Sequence, residues 1–365
     1  MNDTYPEIDL LYRYAQKGYF IAKYCLGLCY YIDGSVINNK EKAVRWWLNA
    51  ALQERHPEVH KAEYHLGVCY YKGEGVVQDK EKAIELWLRA SRKRNVDAMF
   101  ILGFCYYIGE SVSQNKTKAI NLWHRAAIQG HVGAQFNLGV CYARGDGIKE
   151  DIEVAVRWWR KAASQDDADS QYCLGQYYCT QLDMENTVKW WIKSANQGVS
   201  IAQAKLALCY YHGYGITKDK EKAIDLFSKA AKKGNAIALY NLGRCYETGE
   251  YVPQNQQMAI DLYRSSAEKN NAQALYQLGY LYYVGQGVSH DNVEAAKLWY
   301  LATAVRLKFS LQKLPEKHQL LRFVPVGWLF QRLPIQFQQL HEVEVAHQHL
   351  PQPVRYYRKG QSSAA

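Results

Sequence analysis

Four glycine pairs have a spacing that phosphate chemistry uses. Gly73-Glu74-Gly75, Gly145-Asp146-Gly147, Gly213-Tyr214-Gly215 and Gly285-Gln286-Gly287 have the backbone freedom of a loop that cradles phosphate. Such a loop also needs a preceding strand and a following Gly-Lys-Ser/Thr to supply cation and hydroxyl. None of the four has them. Thiols are the next candidates. Cys25 and Cys29 stand at i and i+4, on one face of a helix, but no histidine or further thiol completes a zinc set around them. His341, His347 and His349, within HEVEVAHQH, read as solvated tail histidines rather than a metal centre. No nucleophile elbow, HExxH helix or kinase signature occurs. The residues therefore point to no catalytic group, no metal and no cofactor.

The same glycines make sense as punctuation in a repeat. LGVCYYKGEGVVQDKEKAIELWLRA at 66–90 returns at 102–127, 206–231 and 278–302 with modest changes. Aligned on the second letter of the Leu-Gly pair, the landmarks are Gly27, Gly67, Gly103, Gly139, Gly175, Ala207, Gly243 and Gly279. A bulky residue follows each at Trp47, Trp87, Trp123, Trp159, Trp191, Phe227, Tyr263 and Trp299. Both series step by 40, 36, 36, 36, 32, 36 and 36 residues, which establishes eight copies of one unit.

Each unit reads as two helices. Ala62, Leu66, Cys69 and Tyr70 fall on one helical stripe, and Gly73 and Gly75 break the helix after it. Asn39, Asp79, Asn115, Asp151, Asp219, Asn255 and Asp291 are N-cap residues for a second helix, which carries Ala83, Trp87 and Ala90 on its inner side. The 40-residue step reflects extra residues around Glu54–Pro57, and the 32-residue step a fifth unit without the glycine loop. Residues 7–18 read as a lone second helix, so the array starts on a half unit. The pattern stops near residue 306, and Pro315 falls where the next glycine is due.

These motifs resemble the Sel-1-like repeat family, a branch of the tetratricopeptide-like helical solenoids. The likeness spans roughly residues 5–306 and departs most at the loop of unit five. It implies an all-α fold, a right-handed α-solenoid of eight helix-turn-helix repeats with an N-terminal half-repeat and a C-terminal cap or tail. It also implies adaptor or scaffold work without enzymatic activity. A secreted branch of the family bridges two cysteines per repeat. Here one recurs per unit, at Cys29, Cys69, Cys105, Cys141, Cys209 and Cys245. Equivalent positions on successive first helices lie about 8–10 Å apart or more, beyond the roughly 7 Å that a disulfide allows between Cα atoms. These six are therefore expected to be buried thiols that act as small apolar residues, and all nine cysteines are expected to be free.

What is left to do the work is a surface. Counting the landmark as zero, position −3 carries Tyr24, Tyr64, Phe100, Phe136, Tyr172, Tyr240 and Tyr276, and position +4 carries Tyr31, Tyr71, Tyr107, Tyr211 and Tyr283. In tetratricopeptide-like folds the first helices line the concave face, so the resemblance places this stripe in a groove. Tyrosine there suits a peptide or helix of a partner protein. The competing reading packs −3 between neighbouring units and leaves only +4 exposed. Tyr70 and Tyr106, at +3, are expected in the core, whereas Tyr71 and Tyr107 are expected to be dispensable for stability.

Composition agrees with this picture. The 365 residues are 48% hydrophobic, enough for a large core, and no run reaches the roughly 18 apolar residues of a membrane span. The start, MNDTYPEIDLLYRY, does not read as a secretory signal, and nine cysteines fit a reduced, cytoplasmic setting. Net charge is +10, but from residue 305 onward nine Lys/Arg face three acids, leaving +4 for the first 304 residues. No nucleic-acid groove is expected. Two domains follow: residues 1–306 as the array, and 307–365 as a cap or docking segment with a disordered end, its apolar part at 320–337. The leading expectation is a monomeric, non-enzymatic scaffold that binds a protein on its concave face. The alternative is a regulatory subunit that positions or activates an enzyme, with membrane contact only through the basic segment 307–365.

Overall fold

The computed structural model describes residues 6–32 and 39–312, with side chains as far as residue 307. Every element among them is an α-helix. They form two compact units, divided in sequence between Gln165 and Asp166. The first holds α1 (Pro6–Gln16), α2 (Phe20–Tyr31), α3 (Lys40–Ala51), α4 (Val59–Lys72), α5 (Lys80–Arg92), α6 (Val96–Ile108), α7 (Lys116–Ile128), α8 (Val132–Arg144) and α9 (Ile152–Ala163). The second holds α10 (Ala168–Thr180), α11 (Met184–Asn196), α12 (Ser200–His212), α13 (Lys220–Lys232), α14 (Ala236–Thr248), α15 (Gln256–Ala267), α16 (Ala272–Val284) and α17 (Asn292–Gln312). From α2 onward the helices pack as eight pairs, each pair one repeat, with α1 the unpaired half.

The second repeat shows how the sequence builds a pair. α4 stops at Gly73, whose φ of 71° is a left-handed conformation that glycine takes without strain. The N–H groups of Gly73 and Glu74 both donate to the Cys69 carbonyl, at 2.8 and 3.0 Å. The loop then returns, with Asp79 N–H donating to the Tyr70 carbonyl at 2.9 Å. The Asp79 carboxylate accepts from Lys82 N–H at 2.9 Å and opens α5. Asn39, Asn115, Asp151, Asp219, Asn255 and Asp291 cap their helices likewise, at 2.8–3.0 Å. In the shortened fifth repeat Leu182 takes the left-handed turn at φ 60°, and Asp183 caps α11 through Asn186 N–H at 3.1 Å.

The Leu-Gly landmark exists for the tryptophan. A Cβ at Gly67 would sit 2.3 Å from Trp87 Nε1, and the same clash recurs at 2.2–2.4 Å for Gly27 with Trp47, Gly103 with Trp123 and Gly139 with Trp159. With the Cβ absent, the indole packs against the first helix. Trp47, Trp87, Trp123 and Trp299 reach the carbonyls of Tyr24, Tyr64, Phe100 and Tyr276 at 3.0–3.2 Å. Repeat six carries Ala207 opposite the smaller Phe227, and both are buried. Repeat seven carries Tyr263, whose hydroxyl donates to Glu247 at 2.7 Å. Burying an indole removes about 150–250 Å² from water, roughly 4–6 kcal/mol of transfer free energy per repeat.

All nine cysteines are free thiols, and of the six that recur once per unit five are buried, whereas Cys29, expected to be buried, is only half-buried. Burial pushes Cys69, Cys105, Cys141 and Cys209 up to about 12, so they behave as small apolar groups. α17 continues to Gln312, past the expected end of the array at residue 306. The rest of the expected cap or docking segment, with the apolar stretch 320–337 and His341, His347 and His349, lies outside the described residues. No helix among the described residues is long and apolar enough to cross a membrane.

Candidate partner-binding surface

The tyrosine line does not form one open stripe. Tyr70 and Tyr106 are buried as expected, but Tyr107 is buried too, at 7% exposure, and Tyr31, Tyr71 and Tyr211 are half-buried. At −3, Tyr64, Phe136 and Tyr172 are buried, Tyr24, Phe100 and Tyr240 are half-buried, and only Tyr276 is open. Tyr283 is open as well. The expectation that +4 stands clear of packing is thus corrected for Tyr107: its ring lies 5.3 Å from that of Trp123, and its hydroxyl is engaged by the next repeat.

That engagement repeats. Tyr31 donates to Glu74 Oε2 at 2.6 Å, Tyr107 donates to Asp146, and Tyr211 donates to Glu250. Tyr71 donates likewise to Glu110. Each acid lies in the glycine loop of the following repeat, and a lysine from the tyrosine's own repeat meets it. Lys40–Glu74 is 3.3 Å, Lys80–Glu110 2.9 Å and Lys116–Asp146 2.6 Å, with Lys220–Glu250 as the fourth pair. The same ammonium groups stand 4.8–5.4 Å from the tyrosine ring centres, within cation–π range. The Tyr71 hydroxyl and Lys80 hold the Glu110 carboxyl below its ordinary range. Burial works against Glu74 and Asp146, but the Tyr31 and Lys116 hydrogen bonds and nearby lysines outweigh it, and both are lowered. The line therefore joins repeats, and two residues of the glycine loops first read as possible phosphate cradles, Glu74 and Asp146, are its acceptors.

One part of the line does border a cleft. Tyr24 and Tyr64, with His60, Lys61, His65, Arg94, Asn95, Val96 and Asp97, enclose about 250 Å³. Asn95 Nδ2 stands 3.1 Å from His60 Nδ1. Tyr24 Oη lies 3.1 Å from His65 Nε2, and the His65 ring stacks on Trp47 at 4.7 Å. Burial lowers His65 to about 4, so the ring is neutral at pH 7. Burial also raises the Tyr24 hydroxyl to about 12. In the second unit, Lys205 occupies the register position of His65 and is 5% exposed; burial pulls its amine down to about 8. Among the described residues no group of three metal-ligating side chains comes together.

Two further features escaped sequence reasoning. Asn95, His131, Asp167, Asn235 and Asn271 cap first helices, accepting from the N–H three residues on at 2.7–3.1 Å. Their signal was present in the sequence, always three residues before the small helix residue. Glu63 is fully buried beneath Arg89 and Lys93, at 3.0 and 2.9 Å, and no periodicity marks it.

The repeat geometry has known counterparts. A family model for the Sel1 repeat matches residues 21–54, 60–95, 96–131, 132–167, 168–199, 200–235, 236–271 and 272–304. No curated protein matches the sequence. Among solved structures, c5321, a protective antigen of uropathogenic Escherichia coli strains with an SLR fold, is similar at 32% identity and a TM-score of 0.69. That match covers 81% of this chain and 64% of the antigen, so the chain spans under two thirds of that protein's length. A Sel1 repeat protein from Oxalobacter formigenes is similar at 28% identity and a TM-score of 0.60, covering 66% of this chain and 96% of that one. With eight repeats matched in sequence and the same helix pairs in space, the chain belongs to the Sel1 repeat family.

Proposed function

We propose that the chain is a non-enzymatic scaffold whose first helices bind a peptide or helix of a partner protein, the chain itself acting as a monomer in a reducing, cytoplasmic setting. The observation that carries this reading is the run of eight Sel1 repeats, a family whose members generally serve as protein-interaction scaffolds. The nine free thiols support the reducing compartment. Within the array we assign the first contact to the cleft at Tyr24 and Tyr64, where aromatic faces, neutral imidazole and the cations Lys61 and Arg94 adjoin. Such a mix suits an aromatic or acidic side chain of a partner.

The experiment is capture of binding proteins on the immobilised full-length chain, then titration of the captured partner against the variant Lys61→Gln/Arg94→Asn. Asparagine is chosen because Arg94 sits at φ 65°, a conformation that residue tolerates. Affinity should fall by about tenfold or more, the range of a modest hot spot, with the melting temperature unchanged. An unchanged affinity places the binding face elsewhere.

A further inference from the structure

Within each compact unit, a repeat offers its successor the same face of its first helix. Positions −3 and +4 of a first helix meet the next repeat, and +1 lies between them on the same helix stripe. Tyr24 meets His65, Phe100 stacks on His131 at 4.3 Å, and Tyr31, Tyr107 and Tyr211 bind acids of the following loop. The covering shows in exposure: Tyr64 at −3 is 6% exposed and Tyr107 at +4 is 7%. On α16 the same positions are Tyr276, Tyr280 and Tyr283, at 54%, 45% and 52%. Trp299 of this repeat is part-exposed, whereas Trp47, Trp87 and Trp123 are fully enclosed.

We propose that this face is the docking site for the chain's own residues 320–337, LLRFVPVGWLFQRLPIQF, the apolar stretch that comes next in the chain after α17. The reach is sufficient. Trp299 Nε1 donates to the Tyr276 carbonyl and Gly279 lies against Ala295, so α16 and α17 run antiparallel. Gln312 therefore stands about 20 Å along the helix axis beyond the level of Tyr276, at 1.5 Å per residue. Residues 313–319 span up to about 23 Å when extended, which returns Leu320 to that level and lets the following residues run along Tyr276, Tyr280 and Tyr283. The chemistry matches as well. Three tyrosine rings offer apolar faces for Phe323, Trp328, Leu329 and Phe330, and cation–π partners for Arg322 and Arg332. A repeat array also needs its terminal face covered. The proposal is independent of the partner cleft.

The test is photo-crosslinking in the full-length chain with Tyr280 replaced by p-benzoylphenylalanine. Irradiation should give a monomeric product whose digest joins residue 280 to peptides from 320–337, with a yield independent of protein concentration. The same probe combined with Trp328→Asp/Phe330→Asp should lose that product while helix content is retained. Three results overturn the proposal: crosslinks between two copies of the chain, crosslinks confined to residues before 313, or full retention of the product in the double aspartate variant.

Discussion

Tyr31 and Glu74 lie 43 residues apart in the chain and 2.6 Å apart in space, hydroxyl to carboxylate, with Lys40 closing the other side of the acid at 3.3 Å. The pair binds one repeat to the next, and Tyr71 with Glu110, Tyr107 with Asp146 and Tyr211 with Glu250 repeat it.

Replacing Tyr107 by phenylalanine keeps the ring and removes the donor to Asp146. Unfolding free energy should drop by about 1.5–3 kcal/mol, the usual worth of a hydrogen bond to a charged group. Alanine should cost about 3–5 kcal/mol, as for other buried aromatics. Urea denaturation distinguishes these values from the null effect expected of a residue used only for binding. Because Glu74, Glu110 and Asp146 titrate below their ordinary values, their contribution is present above that ordinary range and is lost as pH falls through the lowered one.

Gly67→Ala places a methyl group 2.3 Å from Trp87 Nε1 and should destabilise the chain by about 1–3 kcal/mol through overpacking. The double variant Gly67→Ala/Trp87→Phe reproduces the Ala207–Phe227 pair of repeat six and should recover part of the cost that the two single changes predict together. A double-mutant cycle by chemical denaturation reads that coupling. Strict additivity would mean that the glycine and the tryptophan are unrelated.

His65 binds its proton only near pH 4 when folded and near 6.5 when unfolded. Between those values the unfolded state holds the extra proton, so stability rises with pH across the window, by about 1.4 kcal/mol per unit from this group. His65→Gln should flatten the dependence between pH 6.5 and 5, where carboxylates contribute little. Thermal melts at half-unit intervals supply the slope.

Lys205 gives the opposite end of the scale. Its folded value near 8 lies below the ordinary 10.5. Between pH 8 and 10.5 the unfolded chain holds the proton that the folded chain has released, so stability again rises with pH. Lys205→Met should remove about 1.4 kcal/mol per unit of that rise. An identical slope in both proteins would show that the ammonium is solvated.

Helix pairs, second-helix caps and the buried tryptophans were legible in the sequence because each depends on local spacing. The Ala207–Phe227 exchange was visible too, once glycine and tryptophan are understood as one packing unit. The fate of the tyrosine line was not. Tyr71 and Tyr107 differ by about 100° around the helix from Tyr70 and Tyr106, and that rotation separates the intrahelical core from everything else. It does not separate solvent from the face of the next repeat, which only the stacking of consecutive helix pairs determines. Glu63 was hidden for a related reason, since Arg89 and Lys93 arrive from the neighbouring helix.

The once-per-repeat cysteine gives this array a built-in stability gauge. Cys69, Cys105, Cys141, Cys209 and Cys245 are buried thiols that a labelling reagent meets only when their own helix pair opens. Pulse alkylation with site-resolved mass readout on the unmodified chain would therefore report five separate opening free energies. A repeat protein in which each unit touches only its neighbours should show a graded series, and the residues that break the grading would mark where the repeats open together.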